Sequence, residues 1–455
     1  MSSDNQSFYI QDGWNIVPRL RLNLGVRFER EFLPTFNSDI PGIASRPIEF
    51  GFGEKAAPRV GAAFDVFGNG KFKLYGSFGL FYDMMKYEMP RGSFGGDVWK
   101  DSVYPLNTAD VFSIKPQPVG SGANLFEVVD WRIPSNDPSD NTIEPNLMPM
   151  RDRVYDVGVE YAITSSLIFN GRYVRKVLDR TIEDVGILTP QGDKYFIANP
   201  GFGITADPAT WGEGIPVTPR AKRDYDAMEL RLDHRFARNL TFQASYTYSR
   251  LWGNYGGLAS SDEDGRTSPN VNRYFDLPFM SYDDTGHLVY GRLATDRPHA
   301  FKFFGTYALN SKLGETRFSP ILFVLQGTPV TTEVEAVSTV PVFVNGRGDL
   351  GRTPTYSNLD FAFAHEFRFS ERYRAKFNFE IFNIFNQSTV TSRAVNYIHP
   401  NDGGYIAFEH EADFFQGFDW EQMRIDQGLR VDPRYRLSSA FQGPRTMRMG
   451  LHFIF

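Results

Sequence analysis

The sequence of 455 residues contains no cysteine, so a disulfide framework, a thiolate zinc site and a cysteine nucleophile are all excluded. It has no run of about 18 apolar residues, the length at which a transmembrane helix would be read. It also lacks a basic excess: a formal net charge of -6 and a pI near 5.8 leave no electrostatic footprint for nucleic acid. The residues Met1 to Gln6 lack the basic and apolar regions of a secretory leader, from which the chain is expected to be a segment of something longer. Catalytic signatures are missing too. The 7 histidines are scattered, none lies in a metalloprotease helix pattern, and there is no Gly-x-Ser-x-Gly elbow. Neither enzymatic activity nor a cofactor is expected.

Aromatic residues are abundant, with 42 Phe and 22 Tyr, alongside 41 Gly and 28 Pro that punctuate the chain. So many large apolar groups argue against disorder. Their arrangement is the dominant signal. Leu20, Leu22, Leu24, Val26 and Phe28 alternate with Arg21, Asn23, Gly25, Arg27 and Glu29. Leu240, Phe242, Ala244, Tyr246 and Tyr248 alternate with polar residues in the same way, and so do Tyr373, Ala375, Phe377, Phe379 and Ile381. A period of two over about ten residues is a strand long enough to cross a bilayer when tilted.

About 13 such segments are legible, near 7–16, 20–31, 58–67, 71–83, 153–164, 166–177, 225–236, 240–252, 297–309, 316–327, 357–369, 373–385 and 445–455. Short connections such as Gly68-Asn69-Gly70 and Ser370-Glu371-Arg372 alternate strictly with long ones. Even turn spacing would suit a soluble sandwich; tight turns on one side and long loops on the other are the pattern of an outer-membrane barrel. Hydrocarbon offers no hydrogen-bond partner, so only a closed sheet satisfies its backbone there. The expected fold is therefore an all-β transmembrane antiparallel barrel with 13 to 14 visible strands, short periplasmic turns and long extracellular loops. With short turns inside, the first and thirteenth strands run the same way and would meet in parallel on closure. Either a strand is hidden in a loop, with Tyr405 to Phe415 as a candidate, or the chain is the C-terminal part of a larger barrel.

Aromatics at strand ends (Phe8, Tyr9, Trp14, Phe81, Tyr82, Tyr246, Tyr248, Trp252, Phe382 and Phe385) suggest interfacial girdles. On the opposite face Arg21, Arg27, Glu29, Lys71, Lys73, Arg374, Lys376 and Glu380 are expected to point into the lumen. There they would either tune a channel or bind a plug. The last strand places Met447, Met449, Leu451, Phe453 and Phe455 on alternate positions, as a barrel-assembly signal read by strand addition would require. Asp262, Glu263 and Asp264 form a weak calcium candidate without the ligand spacing of an EF-hand; a solvated acidic loop is the simpler reading. Arg347-Gly348-Asp349 matches an adhesion tripeptide, but such a match is cheap in a Gly-rich loop.

Several islands resemble the C-terminal barrel of TonB-dependent outer-membrane receptors, of the Oar-like or carboxypeptidase-regulatory-domain-containing type. They include Tyr9 to Trp14, Leu22 to Glu29, Pro58 to Asp65, Tyr75 to Asp83, Tyr225 to Arg231 and Phe242 to Ser249. The others are Asp296-Arg297-Pro298-His299, Asn358-Leu359-Asp360 and Glu380 to Asn386. The resemblance covers nearly the whole chain and implies a barrel of about 22 strands, of which this would be the last part. It also implies substrate-gated uptake, with ligand capture by the outer loops. The family's plug, TonB-contacting box and first barrel strands have no counterpart here. Residues 1–455 are thus expected to be one barrel segment, with plug and signal peptide absent. A further segment or another chain would supply the rest, and TonB would be engaged only through those missing parts. The other expected partners are outer-membrane lipid and the barrel-assembly machinery. The alternative is an outer-membrane binding or scaffold barrel that pairs with another chain and does not transport.

Overall fold

The computed structural model describes residues 3–34, 47–85, 100–104, 110, 127–130, 143–189, 192–237, 239–257, 275, 277–337, 340–400 and 404–455. Thirteen long strands pair antiparallel in strict chain order: β1 (Asp4–Val17), β2 (Leu20–Leu33), β3 (Ile48–Asp65), β4 (Phe72–Tyr82), β5 (Arg151–Ala162), β6 (Leu167–Arg180) and β7 (Arg223–Ala237). They continue with β8 (Leu240–Gly253), β9 (His299–Ser311), β10 (Gly314–Leu325), β11 (Tyr356–Arg368), β12 (Arg374–Phe382) and β13 (Thr446–Ile454). Every expected strand is present. Among the described residues no pairing joins β1 to β13, so both remain edges.

The short turns form for local reasons. At the β3–β4 turn the Asp65 carboxylate accepts from Gly68 N (3.0 Å) and Gly70 N (2.7 Å), and both glycines adopt the left-handed conformation that a side chain disfavours. Lys71 lies on this turn, just outside β4, rather than on the strand expected for it.

Register fixes which residues share a face, since partners directly opposite point the same way. Arg21, Asn23, Gly25, Arg27 and Glu29 on β2 oppose Asn15, Gly13, Gln11, Tyr9 and Ser7 on β1, and Ala63, Gly61, Arg59, Ala57 and Lys55 on β3. The row continues through Lys73, Tyr75 and Ser77 to Glu160, Gly158 and Asp156, and on to Asn170, Arg172 and Val174. It ends with Arg374, Lys376, Asn378 and Glu380 facing Ile454, His452, Gly450 and Arg448. One mainly polar face therefore runs along the sheet, interrupted on β9 and β10 by Phe304, Ile321, Phe323 and Leu325. The other is apolar, exposing for example Val157, Met228, Tyr248, Met449 and Phe453.

Two expectations are corrected. Tyr405 to Phe415 forms no strand: Ile406 makes an isolated bridge and Glu411–Gln416 is a 3-10 turn. The connections are not structureless either. They carry hairpins at Glu183–Thr189 with Gly192–Ala198 and at Val334–Ala336 with Val340–Val342, a long-range strand pair of Val390–Arg393 with Ser438–Phe441, and a short helix α1 (Trp420–Asp426). Leu277, Phe279, Val334, Val342, Ile406 and Phe414 pack into one buried cluster, with Phe408, Phe418 and Trp420 against it. Loops joining different strand pairs thus share a single core.

Candidate functional site

The polar face is a field of paired charges. Arg27 meets Glu29 at 2.5 Å and Ser7 Oγ at 3.0 Å, Lys73 meets Glu160 at 3.0 Å, and Arg172 meets Glu229 at 2.6 Å. At the far edge Arg374 meets Glu366 at 3.4 Å and Glu380 meets Arg448 at 3.5 Å. Arg21 donates to Asn23 at 3.2 Å. Lys376 stands in register between Glu366 and His452. The charged residues expected from the pattern, Lys71 excepted, all occupy this one face. The structure does not bring them together: one group sits on β2 and β4, the other on β12 near the opposite edge.

Two cavities open on this face. One, of about 720 Å³, lies over β1 to β5 and is bordered by Gln11, Arg21, Asn23, Arg27, Arg59 and Asp156. The other, of about 550 Å³, lies over β5 to β8 and is bordered by Asp152, Asp156, Arg172, Lys176, Arg223 and Glu229. Alternation alone named the first half-set and overlooked Arg59, Asp152, Asp156, Arg172, Lys176 and Glu229. The signal was present in the even spacing of Asp152, Asp156 and Glu160, and of Arg172 and Lys176. Gly158 keeps the face shallow. A Cβ there would sit 2.5 Å from Tyr75 Cζ, so glycine lets the Tyr75 ring lie flat across β5 and its hydroxyl reach Asn170 at 3.0 Å.

Buried ions tie the long-loop ends of the strands to the loops. Lys55, 1% exposed, donates to Glu31 at 2.9 Å and to the Asp83 carbonyl at 3.2 Å, while Glu31 also accepts from Met85 N at 2.8 Å. Asp296 accepts from Leu251 N (2.7 Å) and from Arg352 (2.5 Å), whose other terminal nitrogen donates to the Asp296 and Gly327 carbonyls. A buried charge of this kind is stable only when paired and fully hydrogen-bonded. The Asp296-Arg297-Pro298-His299 island is therefore a staple between β8, β9 and the loop before β11. His299 itself lies on the apolar face, where its Nδ1 bonds the Tyr246 hydroxyl at 2.7 Å. The Asn358-Leu359-Asp360 and Glu380 to Asn386 islands also meet: Asp360 accepts from Asn383 N at 2.8 Å, and Asn383 donates to the Gln387 and Gly443 carbonyls.

Other expected features resolve individually. Asp349 of the adhesion-like tripeptide is occupied by Thr332 N (2.8 Å), Thr332 Oγ1 (2.5 Å) and Asn345 (3.2 Å), and Arg347 stacks on Phe343 at 4.6 Å, so the tripeptide is part of the loop framework. Asp262, Glu263 and Asp264 lie outside the described residues. Met447, Met449, Leu451 and Phe453 line the apolar face of β13, opposite Ile381, Phe379, Phe377 and Ala375, and Phe455 follows the strand end. Tyr9, Phe81 and Phe382 fall on the polar face, contrary to their expected place in a girdle; Arg59 lies over the Phe81 ring at 4.5 Å. In the loop hairpin burial pushes the Asp184 carboxyl up to about 6.

A family model for the outer membrane beta barrel domain matches residues 1–339. The TonB-dependent transporter Oar of Myxococcus xanthus is 26% identical over 479 residues, covering 98% of this chain and 42% of that protein. The chain thus spans less than half the length of this curated relative. The outer membrane transporter YddB from Escherichia coli shares the fold with a TM-score of 0.50 at 12% identity, over 86% of this chain and 42% of that one.

Proposed function

Because the chain belongs to the outer membrane beta barrel family, and so resides in the outer membrane of a Gram-negative cell, we propose that it forms the C-terminal wall of a TonB-dependent importer. In this reading the apolar face meets lipid and the polar face lines the lumen. The short turns are periplasmic, and the long loops capture the ligand outside. The charge pairs of the lumen present hydrogen-bonding partners to a plug, and the plug, with the strands that complete the wall between β13 and β1, comes from an N-terminal portion or from another chain. TonB acts through that portion. The exposed β13, with its alternate Met447, Met449, Leu451 and Phe453 and the terminal Phe455, is the strand the barrel-assembly machinery captures.

One observation supports the reading above the others. A polar face carrying two cavities over β1 to β8 lies next to loops that fold around a core of their own, so a ligand would meet a preformed vestibule before a hydrophilic passage. The scaffold alternative shares the wall but predicts no flux. The deciding experiment deletes the gene and follows uptake of ferric chelates, corrinoids, oligosaccharides and peptides with and without a proton gradient. Loss of gradient-dependent uptake of one class supports import. Unchanged uptake of all four sinks it.

A further inference from the structure

Three long connections converge on one cleft. The β8–β9 connection contributes Arg297, the β10–β11 connection Thr331 and Glu333, and the β12–β13 connection Thr391, Ser392 and Arg393. The cleft measures about 400 Å³, toward the small end of the range of about 300–1,000 Å³ for small-molecule sites. Its walls are held without any ligand. Glu333 N donates to the Val395 carbonyl at 3.0 Å and Tyr397 N to the Glu333 carbonyl at 2.9 Å, tying the second connection to the third. Arg352 ties the first to the second through the Asp296 and Gly327 carbonyls, both at 2.9 Å. A ligand entering a cleft fixed in this way loses little to rearrangement of its walls.

The lining is hydroxylic and of mixed charge. Thr391 and Ser392 are exposed and make no side-chain hydrogen bond among the described residues. Thr331 Oγ1 accepts from Gly348 N at 3.0 Å, which leaves its own proton to donate. Arg297 and Arg393 each donate from one terminal nitrogen to a backbone carbonyl, that of Gln326 at 2.7 Å and that of Arg436 at 2.9 Å. Each guanidinium is thereby anchored and keeps further N–H groups for a ligand. Glu333, 4% exposed, sets a carboxylate in the same lining. None of the described lining residues is aromatic.

These features select by exclusion. A ligand carboxylate or phosphate would meet Glu333, an ammonium would meet Arg297 and Arg393, and a planar aromatic chelate would find no ring to stack on. A neutral polyhydroxylated ligand suits the whole lining, because each of its hydroxyls both donates and accepts. We propose that this cleft binds one or two sugar rings at the end of a neutral oligosaccharide. Sugar hydroxyls accept from Arg297 and Arg393 and donate to Glu333, while Thr331, Thr391 and Ser392 supply the remaining partners. The proposal rests on the reading of the long loops as capture elements, and it names the ligand class that this reading left open.

The test titrates the full chain, folded into phosphatidylcholine bilayers, with maltotriose, cellotriose, mannotriose and chitotriose, followed by ligand-observed NMR. Trigalacturonate and triglycine serve as the charged and peptidic counterparts. At least one neutral trisaccharide should bind. Arg393→Gln should weaken that binding about tenfold, because it removes charge-assisted donors. Thr391→Val should weaken it about threefold, the share of one neutral hydrogen bond. Thr391→Trp, which fills the cleft and breaks no hydrogen bond of the fold, should abolish it. The heat-modifiable band shift of each variant reports that the chain is still folded. Failure of all four neutral trisaccharides to bind, or binding that survives Thr391→Trp, overturns the site. Tighter binding of trigalacturonate or triglycine that Thr391→Trp abolishes overturns the saccharide class. Trisaccharide binding without gradient-dependent uptake would sink import and leave the cleft, whereas uptake of another class without trisaccharide binding would sink the cleft and leave import.

Discussion

From β9 to β13 nearly every strand residue is exposed or half-exposed, Gly314 and Ala375 excepted, whereas Phe279, Val334, Val342, Ile406 and Phe414, in the loops that lead into and join those strands, have no exposure at all. Both regions are rich in aromatics. They differ in where the apolar partner comes from. In the orientation proposed above, the wall takes it from lipid and needs only one greasy face per strand. The loops stand in water and must bury their apolar groups against one another, at the entropic cost of ordering long chain segments. The wall therefore tolerates exchange of one apolar residue for another, while the loop body depends on fitted contacts. Its Phe279 ring meets Phe414 edge-on at 5.0 Å and stacks on Phe415 at 5.3 Å.

The sharpest way to break this contrast is Phe279→Ala. Removing a fully buried ring costs about 4 kcal/mol, and the loss should fall on the loop body alone. Hydrogen exchange should accelerate over Val334–Val342 and Phe408 to Met423 while the heat-modifiable band shift of the inserted wall stays unchanged. Simultaneous loss of both would mean the two regions fold as one. Asp296→Ala should come next, at about 3 kcal/mol, because it strands the half-buried Arg352 guanidinium and the buried Leu251 N–H. Asp296→Asn, which keeps one side-chain acceptor and turns an amide NH2 toward the other donor, should recover only part of that. Thermal unfolding followed at Trp252 and Trp420 would separate the junction from the loop body. Within the wall the contrast runs between faces. Met449→Arg should cost about 2 kcal/mol of bilayer stability, as a cation on the lipid face does, whereas Asn378→Arg on the polar face of the neighbouring β12 should cost almost nothing. Equal costs in a folding titration into vesicles would reverse the assignment of faces.

The same contrast explains what was legible beforehand. All thirteen wall strands could be read, because an apolar face on one side and a polar face on the other impose a period of two on each strand independently. Strand ends were poorer: β3 extends to Ile48, about ten residues beyond its visible alternation, because near the loops its partners are Glu31 and Leu33 and the face becomes the protein interior. The girdle assignments of Tyr9, Phe81 and Phe382 failed because aromatic content says nothing of parity, and register does. The loop core was invisible. Its contacts pair Phe279 with Phe414 and Glu335 with Ile406, residues far apart in the chain that no local period links. The islands Asp296 to His299 and Glu380 to Asn386 stood out by resemblance alone; their stapling role needed Arg352 and Asp360 to be placed beside them.

The smallest effect expected is one of pH in the loop hairpin. Asp184 on Glu183–Thr189 has its carboxyl raised from 3.8 to about 6 by burial, and its Oδ1 has no hydrogen-bond partner among the described residues. A raised folded-state value means the hairpin binds this proton more tightly than the unfolded chain does. The stability tied to the proton is then complete below about pH 4 and is lost as pH rises through about 6. Protection of Val185 and Ile187 amides should accordingly be greater at about pH 5 than at about pH 8, after correction for intrinsic exchange. Asp184→Asn should hold the higher protection at both values. Wall amides on β9 to β12 serve as the internal reference. A parallel change there would place the effect in the sheet as a whole, and a flat profile for the hairpin would mean that solvent reaches the Asp184 carboxylate.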